Sequence, residues 1–164
     1  MFTITSIVIS AFISTAVLAI NTSIAWRYRQ SRMGVYFSLY LAVSTFWLVM
    51  ITLGYAAVPL QLKVFFAVLD GWAYRTSDVL IFLFALCFAG YEHIVENKWI
   101  KAYAVFHILS HGLLISTNQW HGLMWPNFIP QANNVLIFTH GSAYGYTVLS
   151  SYLIGLTTMI LVAI

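Results

Sequence analysis

The sequence predicts an all-α membrane protein, a polytopic bundle of about five transmembrane helices. Three observations carry this reading. Of the 164 residues, 62% are hydrophobic and 7% are charged, too few polar side chains to cover a water-soluble globule. The mean hydropathy is +0.89, and the apolar residues fall in long runs between short polar connections. Dividing the length by the roughly 20 apolar residues that cross a bilayer, plus short turns, gives about five spans. The partner this composition demands is the lipid bilayer. The seven Lys and Arg sit at the ends of apolar runs instead of forming a patch, which argues against nucleic acid as a partner. Cys87 is the single cysteine, so an internal disulfide and a cysteine metal knuckle are both excluded, and it reads as a packing residue.

The first span covers residues 3–26. Its start lacks the basic stretch of a cleaved signal peptide, so it reads as a retained helix. It ends in Arg27, Arg29 and Arg32, with Trp26 and Tyr28 where interfacial aromatics belong, which marks a cytoplasmic end. The second span, 34–57, stops at Pro59, and Lys63 marks the outer turn. The third, 70–90, is the least regular. Its strongly apolar part, 79–90, is too short to cross alone and is extended back past Asp78, Arg75 and Trp72, leaving a polar outer half and a solvated Asp70. Glu92, His93, Glu96, Lys98 and Lys101 form a charged inner connection before the fourth span, 99–117. Residues 118–140 carry Trp120, Trp125, Pro126, Pro130 and several Asn, and read as an outer loop with interfacial pieces. The fifth span is 141–164. Arg27, Arg29, Arg32, Lys98 and Lys101 on one side outnumber Lys63 and Arg75 on the other, which places the N-terminus outside a multi-pass protein. With no repeat or low-complexity linker, residues 1–164 are expected to form one transmembrane domain, cut after its fifth helix.

Two clusters of ionisable residues fall within spans. His107 and His111 are four residues apart in the fourth, on one helix face about 6 Å apart along the axis, and Ser110 and Asn118 extend the stripe. They suit a haem or metal ligand pair, a proton relay, or plain interhelical hydrogen bonding. A bis-histidine haem draws ligands from facing helices and no second pair occurs, so hydrogen bonding is the preferred reading, with no cofactor and no metal expected. Arg75 and Asp78, at i and i+3, can pair with each other. They read as part of a cavity open to the outside or, preferred, as a pair snorkelling to the interface. Gly141 and Gly145 give a G-x-x-x-G spacing that permits close helix approach but is a weak signal alone. No phosphate loop, nucleophile elbow or H-E-x-x-H pattern occurs, so these residues predict no enzyme.

The segment Thr117-Asn118-Gln119-Trp120-His121-Gly122-Leu123-Met124-Trp125 resembles the motif after the fourth helix of the N-terminal seven-helix sensor domain of bacterial histidine kinases, typically T-N-P-L-H-H-L-F-W. Gly141-Ser142-Ala143-Tyr144 is similar to that family's G-P-L-F, and Ser151-Tyr152-Leu153 to its S-Y-L-L. The order of spans and the outside N-terminus also follow the family. Gln119 departs from the usual proline and Gly122 from the second histidine, and the sixth and seventh helices and any kinase are not among these residues. The resemblance implies a sensory input module of the bacterial inner membrane, in which an outer or intramembrane cue shifts helix packing and biases a cytoplasmic kinase or cyclase. Asn118, His121, Trp125, Gly141 and Tyr144 carry over, with the role of holding the outer loop against the helix ends. Two other readings stay open: a small accessory or scaffold subunit of a photosynthetic or respiratory complex, and a haem-carrying electron-transfer protein using His107 and His111. Other membrane subunits, or a homodimer partner, are the protein partners to expect.

Overall fold

A computed structural model describes residues 2–131 and 134–163. Helix α1 spans Ser6–Ala25 and begins where Thr5 Oγ1 accepts a hydrogen bond from the Val8 amide, one of the four amides a helix start leaves unpaired. A single 3-10 turn follows at Trp26–Tyr28. Ser31 caps α2, Arg32–Ala56, in the same way through the Gly34 amide. Helix α3 runs Leu60–Phe88 and stops at Gly90, whose φ of +81° suits a residue without a Cβ. A short α4, Glu92–Val95, leads to α5, Lys98–Ser116, capped by Asn97. Then come α6, Asn118–His121, an antiparallel hairpin of β1, Phe128–Pro130, and β2, Leu136–Phe138, and finally α7, Tyr144–Ala163.

Four helices, the first counted through Tyr28 together with α2, α3 and α7, are long and apolar enough to cross a membrane. Helix α5, with 19 residues, is about 28 Å long and is the most polar of the five. Together they form the expected bundle. The third helix departs from the sequence reading, starting at Leu60 rather than near residue 70. Its 29 residues make a rod of about 43 Å, longer than the roughly 30 Å hydrocarbon layer. The hydropathy pattern hid its first half because Lys63, Asp70 and Arg75 lower the local average; all three turn toward protein and not lipid, so the helix is not interrupted.

Helix α3 is the hub. Of its apolar membrane segment 44% is buried, against 6% for α1, which leans mainly on α2, through Thr22···Thr45 at 2.9 Å and Thr15···Thr52 at 3.5 Å. Ser44 and Ser77 (3.4 Å), with the Phe37–Phe84 and Trp47–Tyr74 ring pairs, join α2 to α3. On the other side Trp72 Nε1 donates to Ser116 Oγ at 2.9 Å, and the indole lies so close to Gly112 that a Cβ there would collide with it. Small residues at such crossings let backbones approach. Toward the basic end, Val79, Leu83, Leu86, Cys87 and Val95 make the apolar core, with Cys87 a packing residue.

The two ends of the bundle differ in kind. At one, Arg32 pairs with Glu96 at 2.7 Å, bringing the α1–α2 turn beside the α3–α5 connection and gathering Arg27, Arg29, Lys98 and Lys101 on that side. At the other, the Thr3 amide donates to Ala56 O at 2.7 Å, and the hairpin lies over α2 and α3. By the excess of Lys and Arg the basic end is the one expected in the cytoplasm, and the other is called the outer end. In a Cys87→Ala background, Gln119→Cys should react with a membrane-impermeant maleimide on intact cells, and Gln30→Cys only after permeabilisation. The reverse pattern would invert the topology.

Candidate functional site

Arg75 and Asp78 do not snorkel. Their side chains are 8% and 17% exposed and 3.4 Å apart, and Arg75 lies about 22 Å along α3 from its outer end. That is mid-helix, too deep for the side chain to reach water at an interface. Ser151 of α7 completes the group: its Oγ donates to Asp78 Oδ2 at 2.6 Å and accepts from Arg75 Nη1. The guanidinium also stands 4.8 Å from the Tyr74 ring. A lone Arg at this depth would be prohibitively costly, and the carboxylate at i+3 and the hydroxyl from the next helix offset that cost.

A second group from α5 meets α7 beside it. His111, fully buried, has Nδ1 at 2.8 Å from His107 O and Nε2 at 3.0 Å from Ser150 Oγ. A nitrogen facing a carbonyl oxygen must carry the hydrogen, so Nε2 of the neutral ring accepts from Ser150. The same hydroxyl lies 2.9 Å from Thr147 O. One hydroxyl hydrogen therefore has two acceptors. Tyr146 stacks on His111 at 5.0 Å and 18°, and the His107 ring centroid lies 4.4 Å from that of His111. His107 Nε2 is buried and has no partner among the described residues. The structure thus joins the two polar pairs found in the sequence into one layer between α3, α5 and α7, by way of Ser151, which the sequence offered only as part of a family resemblance, and Ser150, which it did not single out.

The motif residues form a separate cluster at the outer end. Buried Asn118 accepts from the Met124 and Trp125 amides and donates to Trp125 O, each at 2.9 Å. His121 Nδ1 accepts from the Leu123 amide at 3.0 Å, so its neutral ring donates from Nε2 to Thr117 Oγ1 at 3.1 Å. Gly122, at φ +62°, turns the chain back. Trp125 packs on Phe138 and Phe128, and Tyr144 stacks on His140 at 3.7 Å. The Gly141 amide donates to Met124 O at 2.9 Å, and a Cβ at Gly141 would strike Leu123 O. Gly145 has nothing within 4 Å of its Cβ position, so the Gly141–Gly145 spacing serves a loop contact and not a helix crossing.

Two residues read as aqueous are sheltered. Lys63 is 7% exposed, its Nζ donating to Gly54 O at 3.1 Å and Asn134 O at 2.5 Å. Asn134, at φ +61°, directs its amide at Thr3 Oγ1, Tyr55 O and Ala57 O at 2.8–3.1 Å. Asp70 is also not solvated; its Oδ1 is buried with no partner among the described residues. It lines a cavity of about 170 Å³ that also contains Lys63. Their i, i+7 spacing on one helix face was the available signal, and it needed the helix start at Leu60 to be read.

Asp78→Ala leaves the Arg75 guanidinium buried without its counter-ion and should destabilise the bundle by about 3–5 kcal/mol, whereas Arg75→Met with Asp78→Leu should cost far less. Thermal unfolding in nanodiscs checks the order; a double variant no better than Asp78→Ala would refute the pairing.

Among curated proteins and among solved structures nothing matches this chain. The family model described as the N-terminal 7TM region of histidine kinase matches residues 7–164, a range that takes in the polar layer, the outer loop and nearly all of the bundle, and the chain belongs to that family.

Proposed function

We propose that this region senses a cue at its outer end or within the bundle, in the cytoplasmic membrane of a bacterium, and hands it to a histidine kinase as a change in how α7 seats against α3 and α5. The carrying observation is the attachment of α7. Apolar contact between helices has little directional preference in lipid, because the tails are as apolar as the side chains. Only 11% of the apolar α7 segment is buried, and Ser150 and Ser151 supply its hydrogen bonds to His111, Arg75 and Asp78. Ile154 and Leu161 pack α7 onto the bundle, but its directional contacts are these few polar ones, and one of them, at Ser150, has two alternative acceptors. Such an element is what an input signal needs to bias. The 7TM region is a non-catalytic input, and kinase chemistry would lie elsewhere.

The test uses the native-length polypeptide in its own membranes with radiolabelled ATP. An acid-labile phosphohistidine should appear on the polypeptide bearing these residues or on a protein copurifying with it, and Ser151→Ala should change its level about fivefold or more, the lower end of ordinary coupling between sites. If no phosphohistidine forms on either, the sensor reading falls and the accessory-subunit reading replaces it.

A further inference from the structure

The cavity beneath the hairpin holds chemistry that neither the polar layer nor the outer motif uses. It lies between α2 and α3, with Tyr55 and Phe66 on its walls and Leu136 and Phe138 of the hairpin over it, and its volume is about 170 Å³. An engineered apolar cavity of about 150 Å³ holds one benzene, so there is room for a body of about one ring. Asp70 is one of its lining residues; its Oδ1 is buried without a partner among the described residues, and Trp47 stands close enough to donate a hydrogen bond to the carboxyl. One neighbouring indole does not replace the hydration a carboxylate loses in such a place, and a proton or a cation would stabilise it.

The walls favour one kind of cation. A hard metal ion asks for six or more oxygen ligands, and this cavity offers a single carboxylate among aromatic and aliphatic groups. An ammonium is satisfied by one carboxylate and the faces of aromatic rings. Lys63 fixes the orientation. It stands seven residues before Asp70, about 10 Å along the helix, and its own ammonium is held by Gly54 O and Asn134 O. Like charge repels a ligand cation from that end, so the ligand's ammonium goes to Asp70 and its apolar body lies under Leu136 and Phe138.

We propose that this cavity binds a small organic ammonium of about one ring in size, its nitrogen on Asp70 and its apolar part against the hairpin; that it is the input site of a sensor rests on the function proposed above. The ammonium could come from a soluble amine or from the headgroup of an aminophospholipid entering from the outer leaflet.

The probe is benzylamine, titrated calorimetrically at neutral pH into the full polypeptide in nanodiscs of phosphatidylglycerol alone. Wild type should bind benzylamine about tenfold or more tightly than Asp70→Asn does, and benzyl alcohol should bind wild type weakly by the same measure, a factor of ten being 1.4 kcal/mol. Equal binding to both proteins, equal binding of the alcohol, or no binding at millimolar benzylamine overturns the proposal. Should Asp70→Asn fail to fold, infrared difference spectra of wild type decide: saturating benzylamine should leave an ionised carboxylate at Asp70, and a persisting protonated carboxyl band overturns the proposal. Repeating the titration with half the lipid replaced by phosphatidylethanolamine separates the sources, since a severalfold weaker apparent affinity identifies the headgroup as occupant and an unchanged one a soluble amine; the ammonium chemistry stands in either case. If benzylamine binds through Asp70 but leaves phosphohistidine unchanged, the site stands and its link to signalling falls. If it does not bind while Ser151→Ala still alters phosphohistidine, the cavity proposal falls alone.

Discussion

Arg75 sets the constraint on which the rest of the bundle depends. In hydrocarbon every polar group must be satisfied inside the protein, and a guanidinium at mid-helix has the most to satisfy. Asp78, one turn along the same helix, supplies the counter-charge, and Ser151 bridges the two from α7. The energetics of such a group are often misread. Replacing a buried ion pair by hydrophobic residues is frequently neutral or stabilising, while removing one partner is severe. What the pair contributes is a location: α7 has one register in which Ser151 reaches both charges, and lipid-like packing would not choose that register by itself.

The same logic builds the outer end from backbone rather than charge. Two three-residue strands are too little to stand alone in water. Here they are held by the Trp125, Phe128 and Phe138 cluster and by Asn134, whose side-chain amide takes up carbonyls that α2 leaves open where it ends. Lys63 then ties the hairpin turn to α3. Asn118 does for the first half of the loop what Asn134 does for the second, both amides satisfying backbone groups that would otherwise be buried unpaired. The segment is thus a folded cap whose position is registered on α3, the helix that also carries Asp70, Arg75 and Asp78.

Much of this was legible in the chain and some was not, for physical reasons. Apolar runs of span length mark helices whatever their partners, so α1, α2 and α7 stand out, and the basic residues after α1 and at the start of α5 mark one end. Helix α3 was misjudged because hydropathy averages around the helix while burial concerns one side of it; Lys63, Asp70 and Arg75 look like reasons to stop until they fall on the inner face. The motif around Asn118 drew attention to the outer loop, but strands of three residues beside prolines carry no usable alternation, so the hairpin was invisible. Ser150 is an ordinary transmembrane residue in sequence and Ser151 stands out only through the family resemblance; the packing of α7 against His111 and Asp78 gives both their partners.

The energies involved bear on which part of the polar layer can move in the proposed signalling. Interhelical hydrogen bonds in membrane proteins average about 0.6 kcal/mol, so releasing the three that Ser150 and Ser151 make costs about 2 kcal/mol at that average. Coupling between two ligand sites is typically about 1–3 kcal/mol, so a cue of ordinary strength suffices to reseat α7. Separating Arg75 from Asp78 would cost more than such a cue supplies. Because both lie on α3, at i and i+3, a motion of α7 leaves them paired and loosens only the hydroxyl between them. On this account the ion pair is the fixed half of the switch, the serines are the half that lets go, and their separation onto different helices makes the transition affordable.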